Sequence, residues 1–236
     1  MTVGAVVLFA RGPEGALADA AGRGAARRIV ETAWAGGATP IVVVCADAGG
    51  AVAASLAGSP AVLAEPAPAE AGPVGQIVRG MTVACDRVTE TVATLIWPGR
   101  MAWVDAETVT SLIEAHGARR EAVLRPRYDS ELGWPALVPL SALDALAAQA
   151  TTVMPDELLD GLATAGFALF AIDTGDPGTA HDIGTAMDQL PAYHGPPEPV
   201  AGPPPEWGSA AAEMPDDAPL EGPALAPYGQ AAEESD

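Results

Sequence analysis

PIVVVCA, residues 40–46, is an apolar run with three consecutive valines and no polar interruption. Alternation would mark a strand with one wet face; its absence predicts a strand buried on both faces, the arrangement of parallel sheets. Two further runs read as buried strands, VGAVVLFA at 3–10 and TVATLIW at 91–97, the latter interrupted only by threonines. Between the first two lies a stretch with helical spacing, 24–36. There Ala25, Ile29, Ala33 and Trp34 share one face, Arg27, Arg28 and Glu31 lie elsewhere, and Gly36-Gly37 marks the stop. A helix at 49–57, a short strand at 60–64 and a helix at 74–85 continue the alternation. Residues 105–116 are amphipathic, with Asp105 placed as an N-cap. EAVLRP at 121–126 and PALVPL at 135–140 read as strands around a turn. Two small helices, 141–149 and 155–164, precede a last strand, FALFAID, at 167–173. Strand–helix alternation of this kind predicts an α/β fold, three-layer α/β/α around a mostly parallel sheet, over residues 1–193.

The charge is distributed unevenly. The chain has 31 acidic residues against 11 basic ones, all arginine, for a formal net charge of −20. The last arginine is Arg127, so residues 128–236 carry 19 acids and no basic residue. Without lysine there is no phosphate-binding P-loop and no Schiff-base chemistry. A surplus of acid excludes a nucleic-acid groove and an anionic membrane surface as partners. There is no signal-like start and no apolar run of about 18 residues; the sequence reads as soluble and cytoplasmic. From residue 195 onward the chain holds 10 of its 23 prolines and five glycines, with almost no aliphatic run. Residues 194–236 are therefore expected to form a disordered acidic tail, either a solubilising segment or a docking element for a protein partner.

Several chemistries are missing by motif. There is no Gly-x-Ser-x-Gly, no Cys-x-x-Cys, and Gly22-Arg-Gly24-Ala-Ala-Arg27 lacks the third glycine of a dinucleotide fingerprint. His116, His181 and His194 are scattered and read as helix-end or surface residues rather than metal ligands. Cys45, inside the apolar run, reads as a buried thiol.

Four segments, in order, carry a resemblance. They are GAVVLFARG at 4–12, the stretch Gly75-Gln-Ile-Val-Arg-Gly80-Met81, TLIWPGRMAWVDAETVTSLIEAHG at 94–117 with RPRYDSELGWPALVP at 125–139, and DTGDPGTAHDIGTAMDQL at 173–190. Together they resemble the MobA-like nucleotidyltransferases, in particular the group containing molybdenum-cofactor cytidylyltransferases. The first is similar to the opening strand and nucleotide loop. The second resembles a Gly-x-x-x-Ser-x-x-x-Gly region, shortened and without its serine. The third resembles the strand bearing a metal-binding Asp-x-Pro, and the fourth a closing Asp-Ile-Asp-Thr-Pro-x-Asp. The resemblance implies a Rossmann-like, nucleotide-diphospho-sugar-transferase-like fold. It also implies binding of an NTP such as CTP with Mg²⁺, and attack of a substrate phosphate on the α-phosphorus. Transferred onto this sequence, it places nucleotide contacts at Leu8, Ala10, Arg11, Gly12, Gly75, Gly80 and Arg100, and a metal ligand at Asp182.

The sequence departs from that pattern where the chemistry is concentrated. The loop after Leu8 lacks the Arg-Met-Gly and the lysine. The first metal-binding aspartate falls on Arg100, the second aspartate of the closing motif is Gly184, and its proline is Ala186. A guanidinium in place of a carboxylate changes the local charge by about two units and repels Mg²⁺. One reading is a non-catalytic member that binds or assembles, with a nucleotide-like ligand meeting Arg11 and Arg100 without metal. In the plainer version of that reading the two arginines are solvated or paired with acids. A second is an active transferase using Asp105, Asp173 or Asp182 as oxygen ligands. A third is a structural subunit that holds a basic protein partner through its acidic tail.

Overall fold

The computed structural model describes residues 2–9 and 11–195. Ala10 of the expected nucleotide loop, and residues 196–236 of the expected acidic tail, lie outside the described residues.

Strands β1 (Thr2–Leu8), β2 (Ile41–Val44), β3 (Ala61–Ala64) and β4 (Thr91–Pro98) run parallel in the order β3-β2-β1-β4. Beyond β4 the sheet becomes mixed. Strand β7 (Ala136–Pro139) lies antiparallel between β4 and β5 (Val123–Tyr128), and β6 (Glu131–Leu132) folds back on the end of β5. The last strand, β8 (Leu169–Asp173), runs parallel to β5 from Val123↔Leu169 to Arg127↔Asp173. Helices α2 (Ala25–Ala35) and α5 (Ala106–Ala118) cover one face; α4 (Gly72–Arg87), α6 (Leu143–Ala147) and α7 (Pro155–Thr164) cover the other. Two single-turn helices, α1 (Pro13–Ala16) and α3 (Ala51–Ser55), sit in the loops after β1 and β2. The expected three-layer α/β/α fold with a mostly parallel sheet is the fold observed.

The apolar runs do what their lack of alternation predicts. Val3 through Val7 and all four residues of β2 are buried, because helices close both faces of the sheet. Small side chains let those helices come close. On α4 the buried positions are Val74, Ile77, Gly80, Met81 and Ala84. At Gly80 a Cβ would stand 2.1 Å from Val6 Cγ1 and 3.1 Å from Val44 Cγ2, so the helix backbone rests directly on β1 and β2. Gly80, expected as a nucleotide contact, stands at a packing position against the sheet.

Boundaries differ from expectation where backbone chemistry overrides apolar pattern. The helix expected at 49–57 is a single turn. Its first N–H groups, those of Val52 and Ala53, are held by the Asp47 carboxylate at 3.0 and 2.8 Å. The helix expected from 74 begins at Gly72, whose φ of +59° and whose approach to the Thr151 carbonyl (1.8 Å from a Cβ) only glycine accommodates. Asp105 caps α5 as expected, accepting from the Glu107 N–H at 2.9 Å. Cys45 is buried, and burial pushes its thiol pKa up. His116 is a helix-end residue, but buried, and both ring nitrogens lack a partner; burial holds its pKa down. Among the described residues no helix is long and apolar enough to cross a membrane.

Two glycine-to-alanine changes test the packing. Gly80→Ala should lower stability by about 1–3 kcal/mol, because its methyl overlaps Val6. Gly117→Ala, in α5 with open space around the added methyl, should be neutral or stabilising by about 0.4–1 kcal/mol. Chemical denaturation of the two variants in parallel provides the comparison.

Candidate functional site

The parallel strands β1 to β4 end on one edge of the sheet, at Leu8, Val44, Ala64 and Pro98. From β1 the chain builds outward to β2 and β3 and later returns to β4 on the other side of β1. The gap between the loops after β1 and β4 is therefore the topological switch point, where open α/β sheets bind ligands. The Gly99 N–H donates to the Leu8 carbonyl at 2.8 Å, and the Phe9 ring lies so close over Gly99 that a Cβ there would be 2.3 Å from it. Leu8 is half-buried in its strand, and Arg11 stands exposed in the turn beyond.

Among the described residues, the loop after β1 does not form an open phosphate cradle. The Gly12 N–H donates to the Phe9 carbonyl at 2.9 Å, and Pro13, which follows, has no N–H to offer. The chain then closes a one-turn helix through Ala16 N–H to Gly12 O at 3.2 Å.

The loop after β4 is stitched to the closing segment. The Ile183 N–H donates to the Arg100 carbonyl at 2.8 Å, and Trp103 Nε1 donates to the carbonyls of Asp182 (3.1 Å) and Thr185 (3.0 Å). Arg28 stacks over the Trp103 ring at 5.1 Å and donates to the Ala102 carbonyl at 2.9 Å. This backbone frame brings the Arg100 guanidinium to 4.0 Å from Asp182 Oδ2, while Asp182 Oδ1 accepts from the Gly184 N–H at 2.9 Å. Asp176, buried, accepts from the Asp105 N–H, the Thr108 hydroxyl and the Gly178 N–H, each at 2.8 Å. Burial pushes its carboxyl pKa up against the pull of those three donors.

Arg100 and Asp182 line a cavity of about 350 Å³ together with Glu131, Trp134, Asp156 and His181. Arg125, buried, supports this wall. It donates to the carbonyls of Gly133 (3.1 Å) and Leu132 (3.2 Å) and to Asp156 (3.0 Å), and its guanidinium stacks on Trp134 at 5.0 Å. His181 is held by the Pro177 carbonyl at 2.8 Å from Nδ1.

Of the residues singled out from sequence, the structure gathers Leu8, Arg11, Gly12, Arg100 and Asp182 on this edge. Gly75 lies in the early turns of α4, and Gly80 is under the helix. The start of α4 shows a better register than the one anchored on Gly75. Gly72, Gln76 and Gly80 recur every four residues, restoring the Gly-x-x-x-Ser-x-x-x-Gly spacing with Gln76 at the serine position. Gln76 pairs its amide with both Ala67 N (2.8 Å) and Ala67 O (2.9 Å), fixing the loop after β3. Counting from Gly72 instead of Gly75 would have found it. Asp176 and Arg125 carried no such signal.

A divalent metal does not fit the residues present. Arg100 is a cation, Gly184 has no side chain, and among the described residues no group of three or more His, Cys, Asp or Glu is placed to hold an ion. Of the other proposed oxygen ligands, Asp105 is engaged as the α5 cap and Asp173 is bound bidentately by Arg127 at 2.5 and 2.7 Å.

Comparison with known proteins places this geometry in context. The family described as MobA-like NTP transferase domain matches residues 12–165. No curated protein matches the chain in sequence. Among solved structures, a Methanothermobacter nucleotidyl transferase is similar at 18% identity and TM-score 0.62, over 79% of this chain and 94% of its own. The 2-C-methyl-D-erythritol 4-phosphate cytidylyltransferase of Thermus thermophilus follows at 16% and 0.58, over 80% and 96%. Rv0371C of Mycobacterium tuberculosis H37Rv, solved in complex with manganese, is similar at 19% and 0.55, over 73% and 89%. At these identities the likeness is one of fold.

Asp176 offers a test of the frame. Asp176→Ala leaves three donors buried without an acceptor and should cost about 2–4 kcal/mol in a denaturant titration. Its raised pKa also sets a pH dependence. The stabilisation from its protonation is full below the ordinary carboxylate range and is lost as pH rises through the raised value. Asp176→Asn should flatten that part of the stability–pH curve.

Proposed function

The chain belongs to the MobA-like NTP transferase family, and from that premise we propose that it is a cytoplasmic member that has lost metal-dependent nucleotidyl transfer and serves as a binding or assembly protein. The observation that carries this reading is Arg100, a guanidinium 4.0 Å from Asp182 at the position where the family pattern has a metal-binding aspartate. Catalysis by the family route needs a cation held between carboxylates to neutralise the charge that develops on phosphoryl oxygens. Here one of those carboxylates is replaced by a positive charge and another by Gly184.

The ligand of such a protein is nucleotide-like, with phosphate oxygens met by Arg11 and Arg100. Arginine suits this role because its planar fork donates two parallel hydrogen bonds. The acidic residues 194–236 then serve a basic protein partner; neither nucleic acid nor an anionic membrane fits a chain of net charge −20. The competing reading, an active transferase such as a cytidylyltransferase acting on a molybdopterin-type cofactor, has to rely on Asp182, since Asp105 and Asp173 are engaged elsewhere.

Isothermal titration with CTP, GTP and ATP, each with and without Mg²⁺, separates the two. The non-catalytic reading expects magnesium to leave any nucleotide affinity within about twofold. Micromolar binding that appears only with magnesium would sink it.

A further inference from the structure

We propose that Arg100 is a resident cation: its guanidinium occupies the place of a divalent ion on this edge, and its presence keeps the site closed to metals. The proposal rests on the reading that metal-dependent transfer has been lost, and it names the residue responsible.

Three observations support it. First, the loops that a metal would have to bring together are already joined by the protein's own bonds. Ile183 N–H reaches the Arg100 carbonyl, and Trp103 Nε1 reaches the carbonyls of Asp182 and Thr185. No ion is needed to close this edge. Second, Asp182 is oriented. One oxygen is held by the Gly184 N–H and the other is turned toward the guanidinium at 4.0 Å. An arriving cation meets the positive charge of Arg100 beside that oxygen. Third, Arg100 stands among carboxylates. The cavity it lines with Asp182 is also lined by Glu131 and Asp156, while Arg125 behind the wall is bonded to Asp156. Among the described residues these acids are not grouped closely enough to hold an ion by themselves, so removing the positive charge lowers the repulsion an ion meets at Asp182, and an added carboxylate supplies a second oxygen donor.

The ion pair is half-exposed and contributes little to stability, so the effect is one of charge and occupancy. A substitution at position 100 should therefore alter metal affinity without unfolding the domain.

Manganese titration of the full chain, followed by electron paramagnetic resonance of the free ion, tests the proposal. Arg100→Asp should bind Mn²⁺ at least tenfold more tightly than the unmodified protein, and adding Asp182→Asn should remove the gain. Arg100→Gln, which deletes the charge and offers only a neutral amide oxygen, should show a smaller gain with the same dependence on Asp182. If Arg100→Asp loses its cooperative thermal transition, Arg100→Gln carries the test alone. No gain in either variant overturns the proposal, and so does Mn²⁺ binding by the unmodified protein that Asp182→Asn abolishes. The nucleotide titrations stand apart: magnesium-dependent nucleotide binding would refute the loss of transfer, whereas the manganese series addresses Arg100 alone.

Discussion

The carboxylate of Asp176 is the junction on which the candidate site depends. It is buried, and it accepts from the first turn of α5 through Asp105 N–H and Thr108, and from its own segment through Gly178 N–H. A carboxylate removed from water is costly unless hydrogen bonds offset the loss; three donors offset part of it, and the raised pKa reflects the remainder. By tying the segment after β8 to the start of α5, it sets the stretch that carries Asp182 beside the loop after β4. Trp103 then fixes the register of that contact, and the Arg100 guanidinium comes to face Asp182 as a consequence.

The sheet supplies the other half of the geometry. Parallel β1 and β4 end side by side, and strands buried this completely need helices on both faces of the sheet. Helix α4 meets this need through Gly80, whose missing side chain lets the helix rest on Val6 and Val44. The same closeness holds the start of α4 near the edge, where Gln76 secures the loop after β3. Packing and site are thus continuous: a glycine that looks like a ligand contact in sequence is a spacer in the fold.

Much of this architecture was legible in the sequence because it rests on local signals. The apolar runs identified β1, β2 and β4, Asp105 identified the start of α5, and the ordered motifs identified the family. What the sequence hid depends on contacts between distant residues. Asp176 bonds across about 70 positions to α5, and nothing near it in sequence distinguishes it from the neighbouring acids. Arg125 looked like one more arginine on a strand, yet it is buried and holds the wall of the cavity. Gly75 stands out over Gly72 in sequence because the apolar pattern starts the helix late; the positive φ of Gly72 and its contact with Thr151 place the true start.

The central claim is that a guanidinium stands where related chemistry would need a metal. The most direct measurement is anomalous diffraction from crystals of the protein soaked in manganese. The account predicts no anomalous peak within coordinating distance of Asp182, with the Arg100 guanidinium beside that carboxylate in the same density. A manganese peak coordinated by Asp182, with Arg100 swung away, would contradict it.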